Sequence, residues 1–558
     1  MYQPIKRLSQ LLFFSLLTSL LITSCSSSKN DFSKKDVKRS QKLIGLDFDK
    51  KYIDTLYPYL QRNKKGYDSL RKYTLDYDVV PAVRFDPLPM NFEPKPQNGF
   101  PEWKIPENIA LPSKKADLAF YSIPQLASLI KNKKISSLEL AEFFIARLKK
   151  YNDILQCTIT VTEEMALEQA KKMDAELAAG NYRGILHGIP YGVKDLMAVE
   201  GYKTTWGAEP YRDQQIDMTA SVVQKLQDAG GILVAKLVSG SLARGDVWFD
   251  GKTKNPWDTT QGASGSSAGS GSATSAGLVP YALGTETLGS ILSPSTRNGI
   301  TGLRPTYGRV SRHGVMSLSW SMDKVGPMAR SAEDCAIVYS VIAGKDPKDG
   351  MTTDYPDGFN PNKDYKSLKV AYLKNDIEKD SSDSKANLDK AVKKFKDMGI
   401  TLHSEDLPKD VPYNGFDIIL RAEAGAFFDD MVRAEEVDKM VEQTQRSRAN
   451  SLRQARFIPA VEYIQANRQR QVLIEKMQDL MKDYDVLISP SSGNRLSIIT
   501  NLTGHPAISI PTGLDEKKHP TSITLVSNLY DEASILLLAK AFQDQTEFDE
   551  LHPEGYMD

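Results

Sequence analysis

Histidine, cysteine and charge of one sign are what this chain has least of. Its six histidines show neither HxH nor HExxH spacing, so no metal site is expected from them. Its three cysteines are too few to suggest a disulfide framework. Cys157, in the alternating run ILQCTITV, and Cys335, in the helix-like SAEDCAIVYSVIAG, read as buried small hydrophobes rather than a pair or nucleophiles. Basic and acidic residues both number 71, and no sustained basic run occurs. That leaves no basic face for a nucleic acid. No internal repeat is evident, and the most apolar run, LLFFSLLTSLLIT at 11–23, is too short to span a bilayer comfortably.

That short run is informative in another way. Lys6 and Arg7 precede it, and Ile22-Thr23-Ser24-Cys25 ends it. A charged head, an apolar stretch and small residues before a cleavage point form the order of a secretory signal. The ending resembles a bacterial lipobox, which predicts cleavage before Cys25 and a lipid on that residue. The expected location is therefore outside the cytoplasm, membrane-anchored, on the periplasmic or the cell-surface side. A retained transmembrane anchor is the alternative.

Residues 26–117 read as an extension. Its first part is charged and helix-permissive; from Val79 it becomes proline-dense, which excludes regular helix and central strand. This second part is expected to lie on the main body as an extended arm, docked by Phe85, Phe92 and Trp103. A main domain is expected over 118–548, with a tail at 549–558. Ser136 and Glu139 form a capping pattern ahead of Leu140, Phe144 and Leu148, which predicts a helix. A second helix is expected over 162–180, closed by Gly180. Short apolar runs at 189–193, 231–238, 368–373 and 485–490 alternate with helical stretches. The fold class is accordingly α/β, with helices on both faces of a sheet. A further helical, Arg- and Glu-rich segment covers about 420–482.

One stretch resists a simple reading. QGASGSSAGSGSATSAG, at 261–277, has the composition of a flexible tether. Yet it runs directly into the apolar LVPYALGTETLGSILSP with no polar boundary, and its small residues also suit close packing of backbones.

HGIPYGVKD (187–195), this Gly-Ser stretch, GTETLGSILSP (284–294), GLRPTYGRVSRHG (302–314) and SMDKVGPMAR (321–330) resemble, in order and spacing, the blocks of the amidase signature family. The resemblance covers roughly 118–548 and includes NLTGHPAISIPTG at 501–513. It implies a mixed central β-sheet covered by helices, and a Ser-cisSer-Lys triad. The lysine falls on Lys194, the bridging serine after a cis peptide bond on Ser266, and the nucleophile on Ser290. Gly265, Ser267 and Asp195 are supporting positions, with Ser267 expected to hydrogen-bond the lysine. The main-chain N–H groups of Thr287, Leu288, Gly289 and Ser290 fall at the oxyanion hole.

The chemistry suits those residue types. A serine hydroxyl needs a base within hydrogen-bond reach to attack an amide. Lysine serves only when neutral, so its reference pKa of about 10.4 must fall by roughly 3 through burial. The resemblance implies no metal and no cofactor. The expected partner is a small-molecule or peptide amide; the oligomeric state is left open.

Three departures stand out. Leu288 replaces the first of two glycines before the nucleophile, at a cost if the backbone there is left-handed. Leu292 replaces an arginine, so the ion pair expected of Glu286 is missing. Ser264 to Gly269 reads SGSSAG rather than GGSSGG. Two other readings therefore stand beside the amidase: a degenerate ligand-binding lipoprotein, and a glutamine amidase like the amidotransferase A subunit. His505, Phe427, Phe428 and Met431 are read either as substrate-contacting or as ordinary packed residues.

Overall fold

The computed structural model describes residues 32–73, 75–90, 92–493 and 495–557. The lipobox and Cys25 lie outside the described residues. Two units divide the chain, Met1–Asp76 and Tyr77–Asp558. In the first, Ser33 and Asp36 form a capping box that starts the helix Lys34–Ser40, and a longer helix follows at Lys50–Leu70. Among the described residues, no helix is long and apolar enough to cross a membrane.

The second unit is built on a mixed sheet of 11 strands. In chain order they are β1 (Thr158–Val161), β2 (Pro190–Lys194), β3 (Ile232–Leu237), β4 (Tyr281–Glu286), β5 (Thr301–Arg304), β6 (Lys324–Ala329), β7 (Val370–Tyr372), β8 (Leu402–Ser404), β9 (Val486–Pro490), β10 (Ala507–Leu514) and β11 (Pro520–Ser527). Their order across the sheet is β1-β3-β2-β4-β6-β5-β10-β11-β9-β7-β8. β2 runs parallel to both β3 and β4, while β6 is antiparallel to β4 and β5. β2, β3 and β4 are buried throughout, which is why they read as continuous apolar runs rather than alternating ones.

Helices cover the sheet as the periodicity predicts. Ser136 caps Ser137–Leu155, accepting from Glu139 N at 3.0 Å while its own N–H donates to Glu139 Oε2 at 2.9 Å. Leu140, Phe144 and Leu148 are fully buried on its inner face. The helix Glu163–Ala178 ends before Gly180, whose φ of 87° lets the chain reverse.

The proline-rich stretch packs within the second unit. Phe85 meets Tyr307 edge-on at 5.2 Å and lies under the Arg470 guanidinium at 3.4 Å. Phe92 contacts Tyr355 and Tyr530, and Trp103 stacks on Phe359 at 5.9 Å. The arm is held by such aromatic contacts, by a single β-bridge between Gly99 and Gly358, and by Lys95, which pairs with Asp485 and Asp531.

Candidate active site

The C-terminal end of β2 delivers Lys194 to the interior. Its side chain is fully buried, and Nζ donates to Ser266 Oγ at 2.8 Å and to Thr285 Oγ1 at 2.9 Å. Burial pulls its pKa down to about 7, against the opposing pull of Asp323 and Glu286. A neutral lysine is thus accessible near pH 7.

The Gly-Ser stretch is interior structure, not a tether. Its second half forms the helix Ala268–Ser275, buried at every position. The Gly265–Ser266 peptide bond is cis. A side chain at 265 has no room: a Cβ there would meet the Gly245 carbonyl oxygen at 1.8 Å. Gly240 N donates to Ser266 O at 3.1 Å, so the 240–245 loop braces the bridging serine from outside.

Ser267 is placed differently from expectation. Its hydroxyl donates to Thr285 O and accepts from Thr285 N, both at 3.2 Å. It therefore reaches the lysine only through Thr285, whose own side chain supplies the bond expected of Ser267. Asp195 also turns away from its neighbour. It pairs with buried Lys236 at 2.7 Å and accepts from Thr205 N at 2.8 Å, fixing the loop after β2.

Thr287 to Ser290 form the turn between β4 and the helix Leu292–Asn298. Gly289 carries the left-handed backbone, with φ 83°, whereas Leu288 is absent from the positive-φ positions. The leucine is therefore not strained by a left-handed backbone, and its side chain is exposed. Ser290 is half-buried, and its carbonyl accepts from Ser267 N at 3.2 Å, tying the turn to the Gly-Ser segment. Thr287 donates to Asp323 Oδ1 at 2.5 Å, while the other oxygen of that carboxylate accepts from Leu318 N and Ser319 N. Burial raises the pKa of Asp323.

The expected loss of an ion pair is overturned. Glu286 Oε1 meets Arg304 Nη1 at 2.7 Å, and Asn501 Nδ2 donates to the same oxygen at 2.8 Å. Its other oxygen accepts from Ile291 N and Leu292 N at 2.8 and 3.0 Å. Burial opposes ionisation, yet Arg304 and the Leu292 amide hold the carboxyl down at about 2. Glu286 thus ties both ends of the Ser290 turn. Leu292 itself is buried in an apolar cluster with Leu420, Leu473 and Leu496.

The remaining candidates are packed residues. His505 is buried, shares a 2.8 Å hydrogen bond with Thr503, and is driven by burial and Arg304 to a pKa of about 3. Phe428 and Met431 are buried with Trp206 and Leu318, and half-buried Phe427 packs against that cluster. Cys157 and Cys335 are both buried free thiols; burial pushes the Cys157 pKa up to about 12. Thr285, Asp323, Arg304 and Asn501 went unassigned in the sequence. All four stand inside the quoted blocks, and only their neighbours in space reveal what they hold.

Comparison with known proteins agrees with this geometry. The Amidase family profile matches residues 139–496, more than half of the chain. Over 485 residues the chain is 32% identical to the glutamyl-tRNA(Gln) amidotransferase A subunit of Acinetobacter baumannii (strain AYE), covering 77% of this chain and 97% of that protein. The same-named protein of Carboxydothermus hydrogenoformans is 32% identical over 487 residues, covering 78% of this chain and 100% of that protein. Among solved structures, the native peptide amidase from Stenotrophomonas maltophilia superposes with a TM-score of 0.68 at 24% identity, covering 77% of this chain and 98% of that one, and so shares the fold. The chain belongs to the amidase family, the amidase-signature hydrolases of carbon–nitrogen bonds in amides.

Proposed function

We propose that the protein hydrolyses a carboxamide through an acyl-enzyme on Ser290, with Ser266 and Lys194 as its proton relay. The observation that carries this reading is the 2.8 Å bond between Lys194 Nζ and Ser266 Oγ, made by a lysine whose pKa is about 7. Ser290 Oγ attacks the amide carbon and passes its proton through Ser266 to the neutral Lys194 amine. The resulting oxyanion is received by main-chain N–H groups of the Thr287–Ser290 turn. Collapse breaks the C–N bond, and the leaving nitrogen takes back the proton by the same route. Water then attacks the ester and gives its proton to the relay, which returns it to Ser290 Oγ as the C–O bond breaks and the acid leaves.

Two residues that speak for a degenerate binder lose that meaning in context. Leu288 is not in the left-handed region, and Glu286 has Arg304 in place of the arginine expected at 292. A glutamine amidase is the second reading, supported by the 32% identity to amidotransferase A subunits. Against it stands the export signal, since tRNA and the partner subunits of such enzymes are cytosolic. That N-terminal order, Lys6-Arg7, the apolar run and Cys25, supports a membrane-anchored lipoprotein acting outside the cytoplasm. Metabolic labelling with a radioactive fatty acid tests it: incorporation lost in Cys25→Ser supports the anchor, and equal incorporation in both rejects it.

The test of the active site treats the full-length chain with a fluorophosphonate probe. Labelling lost in Ser290→Ala and strongly reduced in Lys194→Ala is the expected result. A folded parent protein that takes no label sinks the proposal.

A further inference from the structure

Glu423 is a buried carboxylate with no part in the relay. It lies on the helix Asp417–Phe427 and is 5% exposed. Oε2 accepts from Ser319 Oγ at 2.7 Å and from Ser321 N at 3.0 Å. Oε1 accepts from Ser321 Oγ at 2.7 Å and from the Tyr463 hydroxyl at 2.8 Å. Three of these four donors stand on one loop, residues 318–323. Arg470 holds the same loop, with Nη1 donating to Ser321 Oγ at 2.9 Å and Nη2 to Ser321 O at 2.8 Å. Ser321 thus stands between two buried opposite charges, donating to the carboxylate and accepting from the guanidinium.

The loop also carries Asp323. Its Oδ2 accepts from Leu318 N at 2.7 Å and Ser319 N at 2.9 Å, closing the loop on itself, and its Oδ1 accepts from Thr287 Oγ1 at 2.5 Å. Two carboxylates therefore grip Ser319, Glu423 by the hydroxyl and Asp323 by the amide. Thr287 opens the turn that carries Ser290. The path from 423 to 287 runs Glu423, Ser319, Asp323, Thr287, and each hydrogen bond along it is 2.9 Å or shorter. Burying a carboxylate is costly unless it is paired and hydrogen-bonded. Neutralising Arg470 accounts for a negative charge here, but not for three bonds to one loop, which fix that loop's backbone and hydroxyls together. One helical turn beyond Glu423, Phe427 meets Trp320 of the loop at 6.0 Å. Helix and loop thus share an apolar contact that does not depend on the charge.

We propose that Glu423 is a positioning residue for the oxyanion hole. It holds the loop 318–323 so that Asp323 fixes Thr287, and with it the main-chain N–H groups that receive the oxyanion. Such donors act by being in place before charge develops, so that no reorganisation is needed at the moment of reaction. A helix that does not touch the reacting atoms thereby sets the rate at which they react. The proposal rests on Ser290 being the nucleophile, and its test separates the two claims.

The full-length chain in detergent is treated with a fluorophosphonate, whose phosphoryl oxygen takes the place of the oxyanion. The second-order labelling rate constant and the melting temperature are measured for the parent, Glu423→Gln, Thr287→Val and the double variant. Each single variant is expected to label about 10- to 100-fold more slowly than the parent, the scale set by a misplaced or weakened oxyanion donor. Because both residues act on one turn along one path, the double variant should lose much less than the product of the two single losses. A Glu423 that only joins the helix to its neighbours would lower the melting temperature and leave the labelling rate of the folded protein unchanged, or would combine with Thr287→Val multiplicatively. Either result overturns the proposal, as does a Thr287→Val protein that labels at the parent's rate. If Glu423→Gln fails to fold, Glu423→Asp decides by the same cycle, since it keeps the charge near Arg470 but draws the oxygens back from Ser319. A labelled parent with unaffected variants refutes the positioning role alone. A folded parent that takes no label removes the Ser290 reading and this proposal with it.

Discussion

Glu286 Oε1 lies 2.7 Å from Arg304 Nη1, with both side chains fully buried, and the other Glu286 oxygen holds the amides of Ile291 and Leu292. One carboxylate thus neutralises a buried arginine and closes the turn that carries Ser290. Glu286→Gln leaves Arg304 charged and unpaired, which is expected to cost about 3–5 kcal/mol. Urea unfolding of the variant measures this, and Arg304→Met combined with Glu286→Gln should recover part of the loss. A single-variant loss below about 1 kcal/mol would show the pair to be dispensable.

Leu292→Arg restores the arginine usual to the family, yet it should harm this protein. Position 292 lies in an apolar cluster, and Glu286 is already engaged. The new charge has no partner, so several kcal/mol of stability should be lost, on the order of those for other buried unpaired charges. Leu288→Gly is expected to change stability by no more than about 1 kcal/mol, because that side chain is exposed. Melting temperatures of the two variants should diverge accordingly.

The relay predicts a pH dependence with a definite sign. Lys194 has its pKa lowered to about 7 in the folded protein, so the amine is protonated below that value and neutral above it. The rate of fluorophosphonate labelling should therefore climb from about pH 6 to about pH 8 and then level off. A rate that is flat over this range, or that falls, contradicts a lysine base. The same shift bears on stability. The unfolded chain binds the proton up to pH 10.5 and the folded chain only to about 7, so this residue's contribution grows more favourable as pH rises between the two.

Gly265→Ala is predicted to abolish labelling. Its Cβ would fall 1.8 Å from the Gly245 carbonyl oxygen, so the 240–245 loop must move and Ser266 moves with it. Circular dichroism should show the fold retained while labelling falls at least about 100-fold, the effect of misplacing a catalytic group by about 1 Å. Full labelling would mean that the loop yields without disturbing Ser266.

Most of the fold was legible in the sequence because burial and chain punctuation leave local marks. The capping pair Ser136 and Glu139 and the apolar face Leu140, Phe144, Leu148 specify a helix from neighbouring residues alone. The four apolar runs that became β2, β3, β7 and β9 are strands buried in the sheet, and composition marks them as such. Lys194, Ser266 and Ser290 could be named because they stand in ordered blocks, and Lys194 and Ser266 meet in space as those blocks imply.

What tertiary structure alone decided was which polar groups pair. Ser267 bonds Thr285 rather than Lys194, and Glu286 finds Arg304 on β5 instead of an arginine in its own turn. Each pair is 18 residues apart in the chain, and nothing in the intervening sequence marks the partner, since β4 and β5 are placed on either side of β6 only by the finished sheet. The physical reason is common to both. Amphipathic pattern depends on residues within a turn or two of each other, whereas the pairing of a buried charge depends on whichever strands and loops the finished core brings within 3 Å or so of it.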